Sequence, residues 1–350
     1  MTGLVNPKSE IRNRQSSARE QPGVLLFNLG GPEKLDDVRP FLFNLFSDPE
    51  IIRIKNDTLR KLLAWLIATT RQRKSRGLYR QIGGGSPLRR ITEQQAEQLA
   101  ARLEAAGVPA RVYVGMRCWN PTIDDAVESI SRAGVSNLVV LPLFPQFSFT
   151  TTGSCFNHFK KLAAVSGLES RSRIAYIENW FSDPHYIEAM ADLIRDAMGR
   201  FPDKDPSHIH LLYSAHSIPA KYVEEGDPYL KQTRETVLLV NSRLGNLSPS
   251  TLSFQSKVGP VKWLEPSTMN VIAQFGKKGT KQVMAIPISF VSDHIETLQE
   301  IDILYKQMAK EAGILEFHRA ASLNLYPKFI DALAGIALDA FQKLADKTQR

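Results

Sequence analysis

From one end of the chain to the other, short apolar runs rich in β-branched residues alternate with helical stretches. Strands joined through helices pair in parallel, and a parallel sheet is covered by helices on both faces. The expected fold class is therefore α/β. Strands are expected at Val24–Leu29, Arg111–Met116, Asn137–Leu141, Ser172–Ile177, His210–Tyr213, Leu252–Gln255 and Gln282–Ile286. Helices are expected near 34–46, 91–106, 121–133, 183–199, 229–243, 266–276, 297–311 and 327–345.

A chain of 350 residues predicts two domains at roughly 100 to 200 residues each. Val139–Ser148 and Val283–Ser292 resemble one another, each a strand pattern running through Pro into a Phe-containing loop that ends in Ser. This repeat points to two similar Rossmann-like halves with the functional cleft between them. The expected division is a flexible tail over 1–21, an N-terminal domain over 22–181, a C-terminal domain over 182–326, and a last helix over 327–345 packed back on the first domain.

Several functional classes are excluded early. With 43% hydrophobic and 23% charged residues, the chain is neither low-complexity nor mostly disordered. No apolar stretch approaches the roughly 18 to 20 residues that span a bilayer, and the N-terminus lacks the apolar core of a secretory signal, so a cytoplasmic protein is expected. Cys118 and Cys155 are the only cysteines and lack C-x-x-C spacing, which argues against a disulfide framework or a zinc site.

The net charge of +8 is concentrated, because Arg53–Arg90 holds eleven Lys and Arg against Asp57 alone, +10 in that window and −2 elsewhere. No helix-turn-helix, zinc-finger or RNP pattern accompanies it, so nucleic acid is not the expected partner. Inside the window, the apolar run Leu62–Ala68 has cationic neighbours on both sides. It reads either as a lip touching an anionic membrane or admitting a greasy acidic substrate, or as a core-facing helix with a solvated face.

In open α/β sheets, ligands bind beyond the carboxyl ends of strands, where the unusual residues of this chain gather. Leu29-Gly30-Gly31-Pro32 follows the first expected strand and Arg117 the second. His216 follows the fifth, where an imidazole can take a proton near neutral pH or ligate a first-row metal. Asp293-His294-x-Glu296-x-x-x-Glu300 follows the seventh, and on a helix Glu296 and Glu300 share a face. Such a pair either awaits a cation or proton, or is a solvated acidic face. Gly83-Gly84-Gly85-Ser86 lacks the G-K-[ST] ending of a nucleotide loop, and its amides suit carboxylates equally.

Taken together, the motifs resemble the ferrochelatase family from about Gly23 to Phe341. The resemblance is carried in order by Leu29–Glu33, Tyr79–Pro87, Gly115–Arg117, Phe144–Ser148 with Thr151–Ser154, Ser214–Pro219, Gly226–Tyr229, Gln255–Pro260 and Ser292–Leu298. It implies insertion of ferrous iron into a porphyrin, with His216 and Glu296 as the paired metal-site and catalytic residues. Asp293 and Glu300 are implied along the metal route. Arg71, Tyr79, Ser86, Arg117, Leu29, Trp263 and His294 are implied around the macrocycle, with Phe254 as a further ring-contacting aromatic.

The implied partners are protoporphyrin IX and ferrous iron, the iron being a substrate rather than a resident cofactor. With two cysteines, no iron–sulfur cluster is expected. Leu29 leans the choice of ring toward protoporphyrin over coproporphyrin, and Leu62–Ala68 matches a hydrophobic lip that implies peripheral membrane contact. Insertion of another metal, and a porphyrin carrier without catalysis, are the alternative readings.

Overall fold

A computed structural model describes residues 22–257, 259 and 261–346, and the expected tail over 1–21 lies outside them. Eight strands run along the chain: β1 Pro22–Asn28, β2 Arg111–Met116, β3 Asn137–Pro142, β4 Arg173–Tyr176, β5 Ile209–His216, β6 Ser250–Gln255, β7 Gln282–Pro287 and β8 Glu316–Arg319. They form two four-stranded sheets with one topology, β2-β1-β3-β4 and β6-β5-β7-β8, every pairing parallel. The expected repeat thus falls on the third strand of each half, β3 and β7.

The sheets are covered by α1 Val38–Ser47, α2 Asp57–Gln81, α3 Leu88–Ala105, α4 Ile123–Ala133, α5 Ser154–Val165, α6 Leu168–Arg171, α7 Pro184–Met198, α8 Ala220–Glu224, α9 Tyr229–Arg243, α10 Thr268–Lys277, α11 Lys306–Glu311 and α12 Pro327–Asp346. Their starts follow from local chemistry. Thr122 and Asp125 form a reciprocal capping box on α4, which Gly134 closes in the left-handed region. Asp183 accepts from the amides of His185 and Tyr186 ahead of α7, whose first residue is Pro184.

One apolar core serves both halves. Val24, Leu26, Val139 and Leu141 of the first sheet pack in the same cluster as Leu211, Tyr213, Met284 and Ile286 of the second, with Ile187, Met190 and Phe329 from α7 and α12. The last helix lies against α3, β3 and β4 as well as α7. Polar contacts reinforce the junction. Gln146 Nε2 donates to Thr236 Oγ1 at 3.1 Å, the Phe147 amide to Gln232 Oε1 at 2.7 Å, and Ser148 Oγ to Asp227 Oδ2 at 2.8 Å.

Besides the short helices α6 and α8, three elements were not anticipated. β8, Glu-Phe-His-Arg, has no apolar alternation to betray it. α5 was hidden behind a loop-like Thr-Thr-Gly-Ser opening. The 25-residue α2 carries the basic window and buries Ala64 and Ala68, while Leu59, Leu62, Trp65 and Leu66 are 53%, 62%, 49% and 52% exposed. Small residues face the protein and large apolar ones face outward, the reverse of an ordinary core-facing helix. Phe254, expected against a ring, is 2% exposed and belongs to the shared core, because its place on β6 turns it inward.

Candidate active site at the strand ends

His216 is the last residue of β5. Its backbone is held by Ser289 Oγ, which accepts from the His216 amide at 2.9 Å, and by the Tyr229 hydroxyl, which donates to its carbonyl at 2.9 Å. Its Nδ1 lies 2.8 Å from Glu296 Oε2. A carboxylate acceptor fixes the proton on Nδ1 and leaves Nε2 without a protein partner among the described residues, in a side chain 40% exposed. Burial alone would depress this imidazole, yet the Glu296 carboxylate outweighs it and the pKa is raised. Reciprocally, burial opposes ionisation of Glu296, but His216, His294 and the Ser256 hydroxyl hold it below the usual carboxylate range.

Glu296 opens a helix of widened π type, Glu296–Tyr305, whose hydrogen bonds step from i to i+5. This pitch puts Glu296, Glu300 and Tyr305 on one flank. Glu300 Oε2 accepts from Gln255 Nε2 at 3.0 Å and from the Tyr305 hydroxyl at 3.3 Å. Burial first, and then the neighbouring Glu296 charge, push Glu300 up to about 7.

Ser256 links the two carboxylates, its Oγ lying 2.8 Å from Glu296 Oε2 and 2.7 Å from Glu300 Oε2. A hydroxyl has one hydrogen and cannot donate to both at once. A protonated Glu300 resolves the conflict by donating to Ser256, which then donates to Glu296. Ser256 was missed from sequence. It follows β6 with φ of 64°, a left-handed conformation, and a serine just past a strand end was the available signal.

The other expected residues divide. His294 stacks on Phe290 at 4.6 Å between ring centroids, and its Nδ1 lies 3.0 Å from the Ser292 carbonyl oxygen. Burial lowers its pKa and favours the neutral ring. Tyr79 is 5% exposed, and burial followed by the Glu296 charge raises its pKa, so the hydroxyl stays protonated. The lip cluster that contains Tyr79, Phe41 and Phe46 also receives Leu29, Trp119 and Ile295, the residue just before Glu296. Gln299 Nε2 donates to Gln81 Oε1 at 3.2 Å, so the end of α2 meets the π-helix directly.

The two glycine-bearing loops lie back to back, the Ser86 amide donating to the Pro32 carbonyl at 2.7 Å. A Cβ on Gly85 would lie 2.0 Å from the Glu33 carbonyl oxygen, so that position admits only glycine. Arg71 has no carboxylate partner among the described residues, its guanidinium lying 5.9 Å from the Phe46 ring centroid. Trp263 pairs by backbone with Pro219, three residues past His216, and its buried Nε1 has no partner among the described residues.

Two expected site residues are engaged by neighbouring side chains. Arg117 Nη2 pairs with the fully buried carboxylate of Asp48 at 3.1 Å and Nε donates to Ser154 Oγ at 2.7 Å. Asp293 sits in a cage of donors. Its Oδ1 accepts from Thr297 Oγ1, Arg319 Nη1 and Ser322 Oγ at 3.0, 2.9 and 2.8 Å, and its Oδ2 from Asn324 Nδ2 at 2.8 Å. Most of its accepting capacity is thus spent on neighbouring side chains, Oδ2 keeping a single partner. Burial disfavours its charge, but Arg319 and the three neutral donors keep its pKa low.

A duplicated four-stranded parallel sheet is the fold of chelatase-type proteins. SirB from Bacillus subtilis, solved with Fe3+, superposes with a TM-score of 0.54 at 12% identity, covering 94% of this chain and 97% of that one. The cobalt complex of the sirohydrochlorin chelatase SirB from the spizizenii subspecies gives 0.51 at 10% identity, covering 94% and 97%. These likenesses establish the fold.

Sequence narrows the class further. The ferrochelatase family profile matches residues 21–340. The ferrochelatase of Gloeothece citriformis is 50% identical over 319 residues, 91% of this chain and 82% of that protein. That of Prochlorococcus marinus is 48% identical over 342 residues, 93% and 87%. The chain belongs to the ferrochelatase family and is a metal chelatase enzyme.

Proposed function

We propose that this enzyme inserts ferrous iron into protoporphyrin IX to form protohaem, with release of two protons, and that His216 and Glu296 perform the exchange. The observation that carries the assignment is the 2.8 Å His216–Glu296 pair backed by Ser256 and Glu300. Insertion must remove two pyrrole N–H protons as the ion sheds water. With Nδ1–H held by an anionic carboxylate, the Nε2 lone pair of His216 accepts a pyrrole proton, and Glu296 stabilises the imidazolium that results. Glu300, poised at about 7, can hold a proton or release it at neutral pH, with Ser256 as the bridge. His216 and Glu296 offer the iron two protein donors, a set suited to an ion in transit whose final ligands are pyrrole nitrogens.

Arg71 supplies an unpaired guanidinium for a propionate, while the Tyr79 and Ser86 hydroxyls, Leu29, Trp263 and His294 bound the ring in this reading. Iron is a substrate here rather than a resident cofactor, and no iron–sulfur cluster is proposed. Burial pushes the Cys118 thiol up to about 12 and raises that of Cys155, so neither is disposed to act as a thiolate ligand. Among the described residues no helix is long and apolar enough to cross a membrane. The outward Leu59, Leu62, Trp65 and Leu66, set among lysines and arginines, fit peripheral contact with an anionic bilayer by a cytoplasmic protein.

The test is anaerobic haem formation from ferrous iron and protoporphyrin IX, followed by absorbance. Wild type is expected to turn over, and His216→Ala to lose at least about 100-fold in kcat while still quenching porphyrin fluorescence on binding. Porphyrin binding with no insertion above buffer would overturn the reading in favour of a carrier, and repeating the assay with cobalt and coproporphyrin separates a chelatase of different selectivity.

A further inference from the structure

Arg319 closes β8 and is almost enclosed, its side chain 11% exposed. Nε and Nη2 donate to the two oxygens of Asp302 at 2.8 Å each, a bidentate fork, while Nη1 donates to Asp293 Oδ1 at 2.9 Å and Ser322 Oγ at 3.1 Å. These two carboxylates occupy telling positions. Asp293 lies three residues before the π-helix begins, and Asp302 is its seventh residue. Arg319 therefore ties both ends of the segment that carries Glu296 and Glu300 to one rigid strand edge.

Asp293 extends the tie. Its amide donates to Asn324 Oδ1 at 2.8 Å, and the Asn324 carbonyl accepts from Gln95 Nε2 of α3 at 2.8 Å. Thr297 Oγ1, bonded to Asp293, also accepts from the His294 amide at 3.0 Å. The brace thus reaches the first half of the molecule on one side and the His294 backbone on the other. π-type pitch is uncommon and persists where surrounding contacts demand it. Without the brace, no other hydrogen bond among the described residues would hold Asp302 against β8, and relaxation toward α-helical pitch would rotate Glu300 away from Ser256 and Glu296 away from His216.

We propose that Arg319 is a positioning residue for metal insertion: by clasping Asp293 and Asp302 together, it holds the π-helix at the pitch that aims Glu296 and Glu300 at His216. The inference rests on the reading of that pair as the inserting site. It predicts a split in kinetics. Iron handling depends on the aim of the carboxylates, whereas the porphyrin is held largely by the lip and the glycine loops.

The experiment uses the full chain with Arg319→Lys, Arg319→Gln and Asp302→Asn, each checked by thermal melting, and two readouts. In steady-state haem formation, the Arg319 variants should lose roughly 10- to 100-fold in kcat/KM for iron, the range seen when a partner orienting a ligand is removed. The KM for porphyrin should stay within about twofold. In Co2+ titrations without porphyrin, Arg319→Lys should weaken binding at the His216 site by a similar factor, with Glu296→Gln defining that site. Asp302→Asn, altering a carboxylate 37% exposed, should move both readouts the same way by a smaller factor and carries the test if the Arg319 variants do not fold.

Unchanged iron kinetics and Co2+ binding in folded variants would overturn the proposal, as would equal losses for iron and porphyrin, which mark a merely structural brace. If wild type made no haem, the ferrochelatase reading would fall, and the Co2+ titration would still decide the role of Arg319.

Discussion

The two halves of this enzyme share one strand order and end their strands differently. In the second half, β5 and β7 end in His216 and in the loop that leads to Glu296, a pair with opposite pKa displacements. In the first half the corresponding strands end otherwise. β1 runs into the Leu29-Gly30-Gly31 loop at the cleft, and the β3 loop spends Gln146, Phe147 and Ser148 on contacts to α9 and Asp227. The first half also carries a long insertion between its first two strands, α1 and α2, which form the basic lip. One scaffold thus carries the His–carboxylate pair at one set of strand ends and a glycine loop with a basic helix at the other, and the difference lies in the loops rather than the sheets.

The sharpest way to break that contrast is a crossed pair of variants. Glu296→Gln, in the second half, is expected to lower kcat by about 100-fold or more with porphyrin KM nearly unchanged. Arg71→Met, in the first half, is expected to raise porphyrin KM by roughly tenfold, the worth of one charge-assisted hydrogen bond, with kcat within twofold. Swapped outcomes would erase the contrast.

A smaller effect concerns Glu300. Its folded pKa of about 7 exceeds the ordinary 4.5, so the folded state binds its proton more tightly than the unfolded state does. Its contribution to stability is greatest below pH 4.5 and is lost as pH rises through 7, amounting to on the order of 3 kcal/mol. Urea midpoints of metal-free protein should therefore fall from pH 5 to pH 8 more steeply in wild type than in Glu300→Gln. Equal slopes would show that Glu300 titrates normally.

How far the sequence revealed this arrangement depends on what each residue type can encode. Parallel pairing, the repeat, His216 and the Glu296–Glu300 spacing were legible because strand alternation and strand-end placement are local patterns. The partners of Asp293 and Arg117 were not legible because a sequence does not say which way a charge faces. Asp293 turns to Arg319, and Arg117 turns to Asp48, whose carboxylate is fully buried. β8 and Arg319 escaped for a related reason: a four-residue edge strand has no periodicity to detect, and its arginine acquires meaning only through partners 17 and 26 positions away.

The smallest expected effect is at the lip. Replacing Leu62 and Trp65 together with serine should reduce co-sedimentation with vesicles containing anionic lipid by a few-fold and leave turnover of detergent-dispersed porphyrin unaltered. Equal sedimentation would remove the bilayer from the role of α2.

The apolar cluster common to both sheets has a dynamic consequence. Proteins that swallow their ligands by hinge bending join their lobes through a few flexible residues and keep separate cores. Here Val24 and Leu26 belong to the same cluster as Leu211 and Met284, so parting the lobes would tear open a buried apolar core. Any accommodation of a ligand at the cleft therefore falls to side-chain rotation and loop adjustment, motions of nanoseconds to microseconds rather than the slower swing of whole lobes.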